Sequence, residues 1–517
     1  PWGSFLAPTG GLAASLVVKT DRRWGRAWTQ WRRLLEDTGC RVRSDAVGGP
    51  GCSGWRGCGS VLKVFRATTP DGRRKDAAMQ ESYADAISTA SAALQAAILS
   101  CEENLPRRVG DLDGLLRPLT QAIALEAHRG IIAHVAREVV QKAKAPGMTV
   151  HRQRRVSYRG LFGRIEVDSP YLYDPRTGRS SRPVQDTMGI GVSAHSKTLA
   201  RALSDFGIED SFRQAAERFE EHYGWTVERC WVRRVTQKVA CEAHAWEESR
   251  LASKETAFSE NLATRPGVDQ MVTEQDGCMI RTGTLSAIPG DETTARRGLP
   301  RRGRQEQWRE TRVGLARRLD ETTATYVARM DTYPEVTWRL FLLAVSRGLS
   351  ARSETICVGD GANGLMEEML SQFPNASYIL DRFHLAGHMH ETAEEMGLDE
   401  EDRARWVERR MERIDRGAVK SVIGELNAYH GSGQERARRL AGYLHRFRDS
   451  VRYDAYRERG LPIGSGEVES AHRSIPQKRL KLPGACWHPD SINPMLALRV
   501  VRANHHWDDF WEQYQAA

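Results

Sequence analysis

The chain has 517 residues, 40% of them hydrophobic and 28% charged, a composition that fits a folded protein of several domains and excludes a disordered one. No uncharged apolar run approaches the ~18–20 residues needed to span a bilayer, and no segment carries the flanks of a secretory signal. The net charge of +9 is unevenly placed: residues 1–78 hold 14 Lys/Arg and 6 Asp/Glu, while the rest holds 62 and 61, so an argument for a nucleic-acid partner has to rest on local patches.

Residues 1–78 form an irregular basic segment in which Gly48-Gly49-Pro50-Gly51 and the run to Gly59 show neither helical nor strand period. The first methionine is Met79, so translation starting near Met79 behind a read-through segment and a basic arm both remain open. The nine cysteines form no CxxC pair, which fits reduced cytoplasmic thiols; Cys52 and Cys58 lack the second pair of a zinc knuckle.

Residues 79–149 are expected to be helical. Leu94, Ala97, Ile98 and Cys101 recur at helical steps, as do Ile131, Val135 and Val139, with Pro106 and Pro118 expected to divide the stretch. Residues 150–185 change period and predict a small β region with two strands around Gly160 and Gly163. Residues 186–262 return to helix and contain a candidate helix-turn-helix. Ser211 caps the first helix, Gly224 makes the turn, and Thr226 caps a second helix with Val227, Trp231, Val235 and Val239 on its apolar face. Arg229, Arg233, Arg234 and Lys238 belong to that second helix, which suits either a DNA major groove or an ordinary helical hairpin with solvated charges.

Residues 263–384 alternate strand and helix. Strands are expected from Met271 to Asp276, from Trp308 to Ala316 and from Thr325 to Asp331, then a helix from Trp338 to Val345. A buried strand from Thr355 to Val358 ends at Asp360, a helix runs from Leu365 to Phe373, and a strand from Ala376 to Leu380 ends at Asp381. Residues 385–457 read as continuous helices, and residues 458–517 close the chain with a helix that carries Glu469.

Asp276 and Asp360 stand at strand ends and Glu469 begins a helix. Carboxylates at neighbouring strand ends converge at one edge of a sheet, and three of them can hold two Mg²⁺ ions for phosphoryl transfer. Taken singly, each also fits a turn or a solvated charge. Glu274, two residues before Asp276 on the same strand face, is a rival for the first position. Gly361 and Gly466 are expected to let backbone approach a phosphate closely.

The runs Val358-Gly359-Asp360-Gly361-Ala362-Asn363, Ile379-Leu380-Asp381-Arg382-Phe383-His384, Ile463-Gly464-Ser465-Gly466-Glu467-Val468-Glu469-Ser470 and Gln477-Lys478-Arg479-Leu480-Lys481-Leu482-Pro483-Gly484, with Trp487, resemble the DDE transposases of bacterial insertion sequences. The group they most resemble is the ISKra type, related to the Lre-type and Mutator-like transposases, over residues 150–505. The resemblance implies an α/β fold: an RNase H-like core interrupted before the glutamate helix by an all-helical insertion, preceded here by the helical and small β regions. It implies metal-dependent DNA cleavage and strand transfer at element ends, with Asp276, Asp360 and Glu469 as the triad and Mg²⁺, or Mn²⁺ in its place, as cofactor. Asp381 and His384 resemble a D-x-x-H motif, which implies a metal ligand and a histidine near the scissile phosphate; Asp381 also fits a helix cap. His384 and His388 stand one turn apart, as zinc ligands can, but no HExxH glutamate lies between them. Lys478, Arg479, Lys481 and Trp487 are expected to hold the DNA backbone or stack on a base, or to form a solvated turn. The partner implied is DNA, bound by a dimer or larger in the cytoplasm at the nucleoid. A regulatory or catalytically decayed DNA-binding protein and a nuclease that does not join ends are the alternatives. Pro476 lies seven residues after Glu469, where a straight helix would cost ~3 kcal/mol, so a kink or an earlier end is expected.

Overall fold

A computed structural model of the chain describes residues 70–101, 109–191, 194–261, 267–287, 294–295, 299–300 and 302–515. The segment 1–69, with Cys52 and Cys58, and Pro106 lie outside the described residues. The fold is mixed α/β, with several sheets and many helices. No helix among the described residues is long and apolar enough to cross a membrane.

The chain divides into two compact units. The smaller contains the described residues among 39–157 and 162–188. It opens with two long helices, α1 (Pro70–Cys101) and α2 (Leu112–Ala143). Pro118 does not end a helix as expected: it lies inside α2, which runs through it. The carbonyl that loses its amide partner belongs to Gly114, which is exposed, so water can replace the bond. The strands are β1 (Thr149–Arg152), β2 (Arg155–Gly160), β3 (Gly163–Asp168), β4 (Tyr171–Tyr173) and β5 (Ser180–Ser181), followed by a short helix α3 (Pro183–Met188). Strand β4 pairs antiparallel with β1 and with β5, and β3 alternates buried and exposed residues with Ile165 and Val167 inward.

The larger unit contains Tyr158–Leu161 and residue 189 onward. A short strand β6 (Ala194–His195) precedes three helices: α4 (Lys197–Gly207), α5 (Phe212–Tyr223) and α6 (Arg229–Asn261). The local signals for α5 behave as expected, with the Ser211 hydroxyl accepting from the Gln214 amide and Gly224 left-handed at φ 71°. Thr226 is not the cap of the next helix, which starts at Arg229. That helix is 33 residues long, in contrast to a short recognition helix. Its apolar side, with Trp231, Val235 and Val239, is buried in one core with the C-terminal helices α16 (Ile492–Ala503) and α17 (Trp507–Gln513).

Five strands build the central sheet: β7 (Gln270–Ala287), β10 (Arg302–Arg318), β11 (Thr325–Arg329), β12 (Glu354–Gly359) and β13 (Ala376–Leu380), with a small hairpin of β8 (Thr294–Ala295) and β9 (Leu299–Pro300) between the first two. The order across the sheet is β11-β10-β7-β12-β13; β10 is antiparallel to β7 and β11, whereas β12 runs parallel to both β7 and β13. Runs such as Thr355–Val358 are apolar and β-branched because the strand is covered on both faces. Helices α7 (Tyr333–Ser346) and α8 (Leu365–Gln372) pack on one face through Leu340, Phe341, Leu343 and Met369. The same core takes in α9 (Arg382–Glu395), α10 (Glu400–Asp415), α11 (Val419–Ala428), α12 (Gln434–Arg446) and α13 (Tyr453–Glu458). The opposite face receives α14 (Gly466–His472), whose Val468 and Ala471 pack with Ile280, Val313 and Leu315.

After α14 the helix neither breaks nor ends. It widens into one π turn (Arg473–Gln477) containing Pro476 and then resumes as α15 (Lys478–Leu480). The Lys478 amide reaches back to the Arg473 carbonyl, a spacing that carries the helix past a residue with no amide hydrogen. The buried Arg499 guanidinium donates to the Ile475 carbonyl at 2.5 Å and also to the carbonyls of Ser474 and Ile208. Replacing Arg499 with Met leaves these carbonyls without their donor and removes one of the two cations that pair with Glu209, 3.2 Å away. The expected cost is about 3 kcal/mol, read as a lowered thermal midpoint; an unchanged midpoint would contradict this account of the π turn.

Candidate active site

Register places the acidic residues before any side chain is considered. Val358 pairs with Glu274, so Asp360, two residues on, comes level with Asp276. Gly359 pairs with Leu380, so Asp381 is level with Asp360. Three aspartates thus stand level on three adjacent strands; Asp360 and Asp381 follow the ends of β12 and β13, whereas Asp276, expected at a strand end, lies within β7, which runs on to Ala287 because β10 pairs with it throughout. Helix α14 crosses the sheet at this end and adds Glu469.

The electrostatics record the crowding. The Asp276 carboxyl is pushed up to about 6, first by burial and then by the charges of Asp360 and Glu469, against the Gly277 amide and His384. Each aspartate is oriented by a neighbouring amide: Gly277 donates to Asp276 Oδ1 at 2.6 Å, and Ala362 to Asp360 Oδ1 at 2.9 Å. His384 is raised to about 9, chiefly by Asp381, whose Oδ1 lies 3.5 Å from Nδ1, a distance that makes this an ion pair rather than a good hydrogen bond. Ligand atoms of Asp381, His384 and Glu469 lie within 4.8 Å of one another. Carboxylate oxygens gathered in this way are the donor type that hard divalent cations favour.

Asp381 is committed on both oxygens. Oδ1 accepts the His384 amide at 2.9 Å and so caps α9, while Oδ2 accepts the Ser465 amide at 2.5 Å and the Ser465 hydroxyl at 2.6 Å. Burial works to raise its carboxyl, but these donors hold it well below the usual range. The cap alternative is therefore the observed geometry, and Asp381 also fixes the start of α14. His388, the other half of the zinc alternative, lies apart from the cluster, with its Nδ1 3.4 Å from Glu391 and its ring against Tyr443.

Glu274 is buried, and Oε2 accepts the Val468 amide at 2.8 Å, which ties the first turn of α14 to the strand. Burial raises its carboxyl to about 8, which suits a brace better than a metal ligand. A second brace is the bidentate pair of Arg317 Nε with Glu467, at 2.8 and 3.0 Å. The Tyr443 hydroxyl of α12 donates to the Asp360 carbonyl at 3.0 Å. Gly361 does not open space for a phosphate as expected: at φ 82° it is left-handed, and a Cβ there would meet the Tyr443 oxygen at 2.3 Å. Gly466 has open space around it.

His472 escaped the sequence reading. It lies three residues after Glu469, one helical turn on, with its buried Nε2 3.5 Å from Asp276 Oδ2; burial lowers it to about 4, so it is neutral. Only its spacing from Glu469 could have signalled it, since nothing else distinguishes it from a core histidine.

The basic residues separate into two groups. Arg229, Arg233, Arg234, Lys238, Lys478 and Lys481 are exposed, Lys478 in an ion pair with Glu209. Arg479 and Trp487 are 3% and 7% exposed. The Arg479 guanidinium donates to the Gly207 carbonyl at 2.8 Å and stacks 4.7 Å over the Trp487 ring and 4.4 Å over Phe212. Holding α4 and α5 against the C-terminal part removes both from the DNA-contact set expected from the sequence, because neither can reach a backbone or a base from inside the core.

No protein-family profile and no curated protein matches the chain. Among solved structures, a Drosophila P element transposase strand transfer complex aligns over 62% of this chain and 95% of that one, at 8% identity and a TM-score of 0.29. The insertion-sequence group suggested by the motifs has no counterpart in these comparisons. The functional conclusion rests on the geometry above.

The Glu274 brace gives a pH test. Glu274 keeps its proton in the fold up to about pH 8, whereas an unfolded glutamate loses it near pH 4.3. The stability tied to this proton is fully present below the lower value and is lost as pH rises through the upper one. Glu274→Gln retains an oxygen for the Val468 amide and cannot ionise. Its thermal midpoint is expected to match wild type near pH 4.5 and to exceed it near pH 8; parallel pH profiles would contradict the brace.

Proposed function

We propose that this chain is a metal-dependent phosphodiester-cleaving and -joining enzyme, a DDE-type transposase that acts on DNA at the ends of a mobile element. The observation that carries the proposal is the meeting of Asp276, Asp360 and Glu469 at one end of the sheet, with the mutual repulsion recorded on Asp276. The strand order β11-β10-β7-β12-β13, with one antiparallel meander and two parallel crossovers, supports an RNase H-like core. The helices between Asp381 and Glu469 support the helical insertion, and the motif runs support the ISKra-type group.

Asp276, Asp360 and Glu469 would hold Mg²⁺ or Mn²⁺, which when bound activates an attacking oxygen and stabilises a leaving one. The protein's own residues do the rest by position and charge. Protonated His384 adds a positive charge beside the cluster and favours a phosphate there. Asp381 acts on it as a positioning residue, fixing His384 through the helix cap and Glu469 through Ser465. Neutral His472 packs against Asp276 and limits its motion. The exposed Arg229, Arg233, Arg234, Lys238, Lys478 and Lys481 are the proposed backbone contacts, and joining two ends calls for at least a dimer on DNA.

The test is an end-cleavage and strand-transfer assay on the DNA flanking the gene, with Mg²⁺ or Mn²⁺. Asp360→Asn is expected to lower both reactions by about 100-fold or more while leaving DNA binding in place. Cleavage without joining identifies a nuclease; cleavage that survives in Asp360→Asn places the chemistry elsewhere.

A further inference from the structure

The central sheet accounts for only part of its two longest strands. Strand β12 pairs with β7 over Gln270–Glu274, and β11 pairs with β10 over Arg312–Ala316. Beyond these contacts β7 and β10 continue as a two-stranded ribbon, paired from Met279 with Glu310 to Ala287 with Arg302. Nine residues at about 3.3 Å each make a ribbon roughly 30 Å long. It leaves the sheet at the acidic end, starting three residues past Asp276.

Such a ribbon is marginal unless something holds it. Its base is held: the Gly283 amide donates to the Trp487 carbonyl at 2.8 Å, and the Trp487 amide to the Arg281 carbonyl at 3.1 Å. One of its faces carries side chains that take no part in the core. By register, Met279, Arg281, Leu285, Arg302, Arg304 and Trp308 share one face, with Glu306 and Glu310 among them toward the sheet. Leu285 and Trp308 are 62% and 61% exposed. The sequence from 294 to 304 holds five arginines and no acidic residue, in a chain that is otherwise balanced after residue 78.

We infer that this ribbon is a docking arm for duplex DNA, which it enters by a groove so that the neighbouring phosphodiester lies at the acidic cluster. The inference rests on the DNA-processing reading above. The major groove, about 12 Å wide, admits a two-stranded ribbon, and one helical turn of DNA, about 34 Å, matches the ribbon's length. Arginines supply phosphate contacts, and the exposed Trp308 supplies a flat apolar surface against the sugar or a base edge. The exposed pairs of Glu306 with Arg281 and with Arg304, the latter at 3.8 Å, are weak enough for a phosphate to replace. Self-association through the same face would oppose two arginine-rich surfaces, which favours DNA as the occupant.

The experiment measures binding of the full chain to a fluorescein-labelled duplex of about 30 base pairs in EDTA, as a function of salt. Arg302→Ala/Arg304→Ala is expected to weaken binding about 10-fold or more and to reduce the slope of log K against log salt by about 1.8, the value for two phosphate contacts. Trp308→Ala is expected to weaken binding with little change in slope. Arg405→Ala/Arg439→Ala, an exposed pair on α10 and α12, is expected to bind as wild type. Thermal midpoints confirm that each variant is folded. Ribbon variants that bind within twofold of wild type overturn the inference, as does a Trp308→Ala protein that loses only self-association, or a wild type that binds no duplex. Because binding is read without metal, a protein that binds through the ribbon but never cleaves with Mn²⁺ upholds the arm and removes the catalytic reading.

Discussion

The site depends on two buried carboxyl groups that grip the start of one short helix. Asp381 accepts the amide and hydroxyl of Ser465, 84 residues away in sequence, and Glu274 accepts the amide of Val468, 194 residues away. Helix α14 has only two turns, too few to hold its own orientation. Its first amides have no partners within the helix, and the sheet supplies acceptors for two of them. Arg317 closes on Glu467 from a third strand. The residues that these three groups hold, Ser465, Glu467 and Val468, all lie within about one turn of Glu469.

The same device explains how a long run of helices can separate Asp381 from Glu469 without loosening the site. The intervening helices share the apolar core beneath the sheet, and the segment from Arg382 to Ile463 makes three contacts at its acidic end. Tyr443 holds the Asp360 carbonyl, Tyr453 donates to the Leu380 carbonyl at 3.0 Å, and the Arg382 amide donates to the Ile463 carbonyl at 3.0 Å. Packing several carboxylates together works against stability. His384, protonated at neutral pH, offsets part of that repulsion, and a divalent cation would offset more.

Much of this was legible in the sequence because apolar period and chain order carried it. The strands at Glu354–Gly359 and Ala376–Leu380 and the helices after Arg382 were readable because their buried faces are apolar at the right spacing. Asp276, Asp360, Asp381, His384 and Glu469 were singled out by expected places at strand and helix ends, and they lie near one another in space, although Asp276 is inside β7 rather than at its end. The ribbon was not legible: residues 283–286 and 302–307 have no core to face, so their sequence carries no hydrophobic signal. The burial of Arg479 and Trp487 was also hidden, since a basic residue beside a tryptophan reads as a nucleic-acid contact until Phe212 and Gly207 are brought to it. Pro476 implied a break, yet a π turn and Arg499, 23 residues later, accommodate it. The last two misses arise from partners distant in sequence.

The most direct measurement of the central claim is an anomalous difference map from crystals soaked in Mn²⁺. Peaks bounded by Asp276, Asp360 and Glu469, about 3.5–4 Å apart if two ions bind, are the expected result. A map in which Mn²⁺ avoids these three side chains, in crystals where they hold the arrangement described, would contradict the account.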